Sequence, residues 1–264
     1  MKLAVCGASG RMGLAVVRLA HAEGIPIVGA IVSAQSEALG RDVGELAGVG
    51  ALGVAVDSHA QGGLIGADAV IDFSSPKALP DVAHTASRLG IAIVSGTTRL
   101  DAEAERMLDA AAKKVPVLWA PNTSVGVHVL KELAAAAARA LGPGFDVEIV
   151  EAHHRGKVDA PSGTATAIAA AVKSVREGLR EVRGRDGNVG PREADEIGVF
   201  AMRGGDVIGE HTVHFLGHGE RIEITHRATN RDLFARGALR AARFLVGKPA
   251  GRYTMADVLA APAP

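Results

Sequence analysis

Residues 151–165 read EAHHRGKVDAPSGTA, a run that concentrates groups able to move protons and hold an anion. His153 and His154 titrate near neutrality, and Lys157, placed after the flexible Gly156, is a cation that can also give up a proton. Ser162-Gly163-Thr164 has the pattern of a helix start, with a hydroxyl cap ahead of the first helical residues. The first N–H groups of a helix have no intrahelical acceptor and sit at the positive end of its dipole, which suits a carboxylate or a phosphate. An apolar run at 147–150 precedes the motif and an alanine-rich run at 166–172 follows it. The expected context is a strand end, a loop and a helix N-terminus, where α/β proteins usually place their ligands.

The chemistry these groups fit is reduction of a polar double bond. A conjugated imine that takes hydride at carbon gains negative charge toward nitrogen, so it needs a proton donor there and cations near any carboxylates. No Walker A, G-x-S-x-G or kinase pattern offers a rival chemistry. His211, His214 and His218 have a spacing that invites a metal reading, but on an extended strand the first two point to opposite faces, and no metal is expected.

A hydride source is legible at the N-terminus. Residues 2–6 form a short apolar strand that runs into Gly7-Ala8-Ser9-Gly10-Arg11-Met12-Gly13 and then a helical pattern. Strand, glycine-rich turn and helix make the context of a dinucleotide fingerprint: Gly7 for the tight turn, Gly10 for close approach to a pyrophosphate, Gly13 for helix packing. The second strand, 26–32, ends at Ser33-Ala34-Gln35-Ser36, with neither the acid that binds a ribose 2′-hydroxyl nor an adjacent arginine. Arg11 and Arg41 are the cations available to a 2′-phosphate, so NADPH is expected, with NADH also accepted. Three further strands, at 69–73, 91–94 and 115–119, each end in small or polar residues, including Gly96-Thr97-Thr98 and Ala120-Pro121-Asn122-Thr123. Successive ends of this kind line the cofactor edge of a parallel sheet.

The alternating strands and helices of the first 120 or so residues predict a Rossmann-like, doubly wound α/β sheet. After a long alanine-rich helix, 125–141, the pattern changes to strand-like runs at 197–203, 206–216 and 220–227, read as antiparallel hairpin elements of a second α+β domain on a mixed sheet. The glycine-rich stretch 40–53 reads as a loop or mobile connection, and the charged stretch 176–196 as a loop, lid or solvated connection. Asn230 or Asp232 is expected to cap a last helix that returns to the first domain. The domains expected are 1–124 plus 235–264 for the dinucleotide and 125–234 for substrate and oligomer contacts, closing over the substrate.

Composition narrows the classes. Lys plus Arg equals Asp plus Glu at 29 each, which argues against nucleic-acid and membrane-surface partners and leaves a small molecule. The single Cys6 leaves no internal disulfide and fits a reducing compartment, so a cytoplasmic protein is expected. Aromatics are 3% of the chain, so the core must be aliphatic, as a buried parallel sheet requires.

Over nearly its whole length the chain resembles the bacterial 4-hydroxy-tetrahydrodipicolinate (dihydrodipicolinate) reductases. The resemblance rests on residues 151–165, with support from Gly7-x-x-Gly-Arg-Met-Gly13, Ile71-Asp-Phe73, Gly96-Thr-Thr98, Asn122-x-Ser-Val-Gly126, Gly209-Glu-His-Thr212 and Glu223-Ile-Thr-His226. It implies loss of water from a 4-hydroxy cyclic imine dicarboxylate and reduction by NADPH or NADH to tetrahydrodipicolinate, in lysine and diaminopimelate biosynthesis. It implies His153 as proton donor and acceptor, Lys157 as proton donor, His154 in contact with substrate, and Gly163 and Thr164 on a substrate carboxylate. The cofactor would face Gly7 to Met12, Gly96 to Thr98 and Ala120 to Thr123, and the protein would be a homotetramer formed through the second sheet. Ser33, Ala34, Ser75 and Thr123 depart from the family's usual residues, all in the cofactor region, where they bear on the choice between NADH and NADPH.

Overall fold

The computed structural model describes residues 1–261. β1 (Leu3–Cys6) is apolar throughout because it is covered on both faces and both edges: it is fully buried and pairs in parallel with β2 (Ile27–Ile31) and β3 (Ala69–Asp72). β4 (Ala92–Ser95), β5 (Pro116–Trp119) and a short C-terminal strand, Gly251–Tyr253, complete a six-stranded parallel sheet. The chain winds outward from β1 in both directions, so the C-terminal ends of β1 and β3 flank the point where strand order reverses. α1 (Arg11–Ala22) contributes Val16 and Leu19 to the core on one face, while α4 (Leu79–Leu89) and α5 (Ala102–Ala112) contribute Val82 and Leu108 on the other.

One stretch differs from the expected loop. Between 40 and 53 stands a short helix, α2 (Val43–Ala47), because the Asp42 carboxylate accepts N–H groups from both ends of the stretch: Gly44 at 2.8 Å, Glu45 at 3.1 Å, and Leu52 and Val54 at 3.0 Å. Another short helix, α3 (Ala60–Leu64), packs against β2 at a close backbone contact, where a Cβ on Gly29 would fall 1.8 Å from the Gly63 carbonyl.

α6 (Val125–Leu141) ends in a glycine-flanked turn and leads into a mixed sheet built from β6 (Asp146–His153), β7 (Arg180–Val182), β8 (Glu196–Arg203), β9 (Gly209–Leu216) and β10 (Arg221–Ala228), in the order β10-β9-β6-β8-β7. β9 and β10 form the expected hairpin, but β8 and β9 do not pair: β6 lies between them, parallel to β8 and antiparallel to β9. β6 alternates a half-buried face with a buried one, Val147, Ile149 and Glu151, so it can take the central position with both edges paired. α7 (Gly163–Lys173) and α6 cover that face through Ile168, Val172, Leu130 and Ala134. The charged stretch 176–196 contains the edge strand β7, and two of its arginines are anchored: Arg192 to Glu148 at 2.8 Å and Asp146 at 2.6 Å, and Arg185 to Glu196 at 2.9 Å.

α8 (Asp232–Leu245) follows. Its cap position is Arg231, which makes no side-chain cap bond, and Asp232 lies one residue inside, 3.6 Å from Arg18. The strand Gly251–Tyr253 is β11, and α9 (Met255–Ala260) closes with a capping box between Thr254 and Asp257. The chain forms two compact units, Met1–Val125 together with the segment from Arg231 onward, and Gly126–Asn230.

In the first unit the ends of β3 and β4 are stitched by one carboxylate. Asp72, fully buried, accepts the hydroxyls of Ser95 at 2.8 Å and Thr97 at 2.7 Å, and both the hydroxyl and the N–H of Ser74. Replacing Asp72 with Ala strands these donors, and about 3 kcal/mol of unfolding free energy is expected to be lost in urea titration.

Candidate active site

β6 alternates between core and outer face, and the inward parity that buries Val147 and Ile149 also carries Glu151 and His153. A carboxylate in that row needs partners, and Glu151, with no exposed surface, has four donors. The Arg203 guanidinium grips it with a fork, Nη1 to Oε2 at 2.9 Å and Nη2 to Oε1 at 2.8 Å. The Ser162 N–H reaches Oε1 at 2.9 Å, and His153 Nδ1 lies 2.6 Å from Oε2. Burial by itself raises the Glu151 pKa, but the bonds from Arg203, His153 and Ser162 outweigh it and hold the carboxyl below its ordinary range.

Because an ionised carboxylate only accepts, His153 donates through Nδ1 and its Nε2 is the nitrogen left to exchange a proton. Burial pulls the His153 pKa below its ordinary value, Glu151 opposes that shift, and the cations Lys157 and Arg203 add to it. The imidazole therefore gives up a proton readily. Gly209 makes room for it, since a Cβ there would lie 3.0 Å from Nε2. His154 leaves the strand, its N–H bonded to the Val207 carbonyl at 2.7 Å, and its own carbonyl accepts from Lys157 N–H at 3.1 Å. That turn brings the Lys157 ammonium onto both oxygens of Asp159 at 2.8 Å, and Arg203 Nη2 holds the Asp159 carbonyl at 2.7 Å.

α7 begins at Gly163, three residues before the alanine-rich run, because Ser162 caps it by accepting from Ala165 N–H at 3.1 Å. Gly163 and Thr164 are thus the first two helical residues, and Gly163 is exposed with no atom within 4 Å of where a Cβ would stand. One unit therefore holds His153, His154, Lys157, Gly163 and Thr164 on a single strand–loop–helix segment. In the sequence Glu151 stands out only as part of the motif, Arg203 has no assigned role, and His211 is considered only as a metal ligand, with His214 and His218, and as part of the Gly209-Glu-His-Thr212 motif. The available signal was parity: Glu151 stands two residues beyond Ile149, and His211 two before Val213. His211 is buried, whereas His214 faces the other way and pairs with Glu223 at 3.2 Å. No group of three or more His, Cys, Asp or Glu among the described residues is arranged to hold a metal.

In the first unit the first and last fingerprint glycines, Gly7 and Gly13, are sterically required. Gly7 has φ +74°, and a Cβ on it would lie 2.4 Å from the Phe73 carbonyl; a Cβ on Gly13 would lie 2.2 Å from the Gly7 carbonyl. Gly10 occupies the cap position of α1 with no side-chain cap bond, and Ser9, Gly10 and Arg11 are exposed beside it. Arg231, which sequence reasoning missed, comes close enough to Arg11 that, after burial, this like charge helps lower its pKa. Two cations at a glycine turn and a helix start suit a pyrophosphate. Ala8 is buried, Met12 is half-buried, and Ser33 and Arg41 are exposed. Of the other expected cofactor residues, Thr98 and Pro121 are exposed, whereas Gly96, Ala120 and the Thr97 hydroxyl are buried in the strand ends. Thr97 also takes the Trp119 indole N–H on its carbonyl at 2.8 Å, the Thr123 hydroxyl is bonded to the Phe234 carbonyl at 2.7 Å, and Asn122 accepts from Ser124 N–H at 2.9 Å.

The family model described as dihydrodipicolinate reductase, N-terminus, matches residues 1–123, and that described as dihydrodipicolinate reductase, C-terminus, matches residues 126–259. The chain belongs to the dihydrodipicolinate reductase family. Family relatives named 4-hydroxy-tetrahydrodipicolinate reductase include one from Anaeromyxobacter sp. (strain Fw109-5), 51% identical over 98% of this chain and 97% of that one. Another, from Acinetobacter baumannii (strain AYE), is 45% identical over 98% and 96%. Among solved structures, the dipicolinate-bound dihydrodipicolinate reductase from Paenisporosarcina sp. TG-14 shares the fold, with a TM-score of 0.77 at 21% identity over 97% of this chain and 98% of that one. An amine dehydrogenase from Mycobacterium smegmatis shares it with a TM-score of 0.69 at 15% identity, over 97% and 95%.

The pKa shifts at this site make stability pH-dependent with one sign. Glu151, held low when folded, contributes stability that is lost as pH falls through its folded pKa. His211 is pushed down from 6.5 to about 3, chiefly by burial, so the unfolded chain takes up its proton first and stability drains as pH falls between those values. Between pH 7 and pH 5 the wild type is expected to lose about 2 kcal/mol more than His211→Gln, measured by urea unfolding at the two pH values.

Proposed function

We propose that this chain is an NADPH- or NADH-dependent reductase of 4-hydroxy-tetrahydrodipicolinate, which loses water and is reduced to tetrahydrodipicolinate in lysine and diaminopimelate biosynthesis. The observation that carries the reading is the Glu151-oriented His153 on the same strand–loop–helix segment as Lys157 and the Ser162-capped helix start, in a chain 51% identical to a relative of that name. The nicotinamide cofactor supplies hydride to the substrate carbon.

The chain's own residues supply the rest. The N-terminal end of α7 at Gly163 and Thr164 offers N–H groups and a dipole to one substrate carboxylate, and His154 contacts the ring. His153 Nε2 delivers the proton that balances hydride arrival, with Glu151 stabilising the imidazolium before transfer. Lys157 offers a second proton and a positive charge, exchanging Asp159 for the substrate. On the other unit, Gly7, Ala8, Ser9, Gly10, Arg11 and Met12, with Arg231, take the pyrophosphate; Ser33 meets the adenosine ribose without a carboxylate to repel a 2′-phosphate; Gly96, Thr97, Thr98, Ala120, Pro121, Asn122 and Thr123 edge the nicotinamide end. The first unit is thus the dinucleotide domain and the second the substrate domain.

A biosynthetic reductase of this kind, with Cys6 as its single cysteine, fits a reducing cytoplasm. A homotetramer forms through the face of the mixed sheet opposite α6 and α7, where Val150, Phe200 and the exposed Met202 share one side. Met202→Glu should shift the protein to smaller species in sedimentation velocity.

Replacing both His153 and Lys157 with Ala should lower kcat by about a thousandfold or more while the dissociation constant for NADPH changes less than about threefold. The assay is reduction of freshly generated cyclic imine, with NADPH and NADH run in parallel. A double variant with near-normal kcat would sink the assignment.

A further inference from the structure

We propose that His211 is a positioning residue that ties the proton donor His153 to the helix start of α7. The inference rests on His153 being the donor.

His211 lies on β9 directly opposite Glu151 of β6 and His226 of β10, on the inward face with Val213 and Phe215. It is 3% exposed. Its Nε2 stands 3.2 Å from the Ser162 hydroxyl, and its ring packs edge-to-face on His153, with centroids 5.3 Å apart and planes at 76°. In the arrangement proposed, Ser162 Oγ accepts from Ala165 N–H and gives its one proton to His211 Nε2, which puts the ring proton of a neutral His211 on Nδ1. Nδ1 is buried and finds no partner among the described residues. An imidazole kept in a core with one nitrogen unsatisfied is held there by what the other nitrogen does.

The contacts close a ring. His153 reaches Ser162 through Glu151, by way of the Ser162 N–H, and again through His211, by way of the Ser162 hydroxyl. Glu151 alone would leave the His153 ring free to tilt about a single hydrogen bond. The second path fixes the face of the ring and its spacing from Gly163 and Thr164, which is the spacing between proton donor and carboxylate site. The charged and titratable groups facing this pair are Glu151 and Lys157 on the segment of His153, Arg203 from β8 and His226 from β10. With two permanent cations already present, a neutral His211 preserves the ability of His153 to carry a proton.

His211→Phe keeps a ring against His153 but removes the acceptor of the Ser162 hydroxyl and replaces a polar neighbour with an apolar one. An apolar neighbour disfavours imidazolium, so His153 loses its proton at lower pH. The basic limb of the kcat/KM profile should move down by roughly half a pH unit, with kcat lowered about tenfold and KM raised severalfold. His211→Gln, whose amide can meet the Ser162 hydroxyl, should recover most of both. Both variants should bind NADPH as the wild type does. An unshifted profile with equal losses in Phe and Gln variants marks mere packing and overturns the inference, as does a Phe variant with wild-type kinetics. Should the Phe variant not fold, nitrogen-15 NMR of histidine-labelled wild type decides. His211 protonated on Nδ1 and neutral down to pH 5 supports the inference, and a His211 protonated on Nε2 or titrating above pH 5 overturns it. Near-normal kcat in His153→Ala would instead remove the donor reading itself; an inactive His153→Ala beside an unaffected His211→Phe removes only the present inference.

Discussion

A carboxylate buried in a sheet is the constraint on which the second unit depends. Glu151 occupies a row otherwise filled by Val147 and Ile149, and a charge there is tolerable only with its donors in place. The donors come from three different elements: Arg203 from the end of β8, Ser162 from the cap of α7 and His153 from β6 itself. Satisfying one anion therefore orients the imidazole, sets where α7 begins and anchors the Asp159 turn that carries Lys157. An aliphatic residue at 151 would pack more simply, but nothing would then choose which nitrogen of His153 holds the exchangeable proton.

The first unit solves a similar problem by different means. Asp72 is also buried, but its donors are hydroxyls and an N–H from strand ends, so it organises backbone turns rather than an ionisable partner. The carbonyl of Phe73, next along the chain, sits where a Cβ on Gly7 would fall. The glycine turn and the ends of β3 and β4 are thus one packed edge, which explains why Thr97 spends its hydroxyl on the protein itself.

Much of this was legible in the sequence. Apolar runs bounded by Gly and Pro marked the parallel strands, and the span of α6 came out as observed, because local propensity and burial agree there. The 151–165 run was readable because its residues act from a contiguous segment. Less legible were features that depend on partners far along the chain. β6 looked like a four-residue strand because Glu151 and His153 are polar, and their inward placement depends on Ser162 and on Arg203, 52 positions from Glu151. The pairing of β6 between β8 and β9 was hidden for the same reason: adjacency in sequence suggested a hairpin, whereas burial decides the order of the sheet. α2 was missed because its stabiliser is one aspartate reaching residues 10 and 12 positions away.

The central place of β6 also bears on how the unit can assemble as the chain emerges from synthesis. β6 and the start of α7 are made long before β8, so Glu151 exists for a time without Arg203. Burying an unpaired carboxylate is strongly unfavourable, by about 3–5 kcal/mol. Burial of this face before β8 is in place is therefore disfavoured, with only His153 and Ser162 to partner the carboxylate, so the ion pair that organises the site also couples the packing of β6 to that of β8.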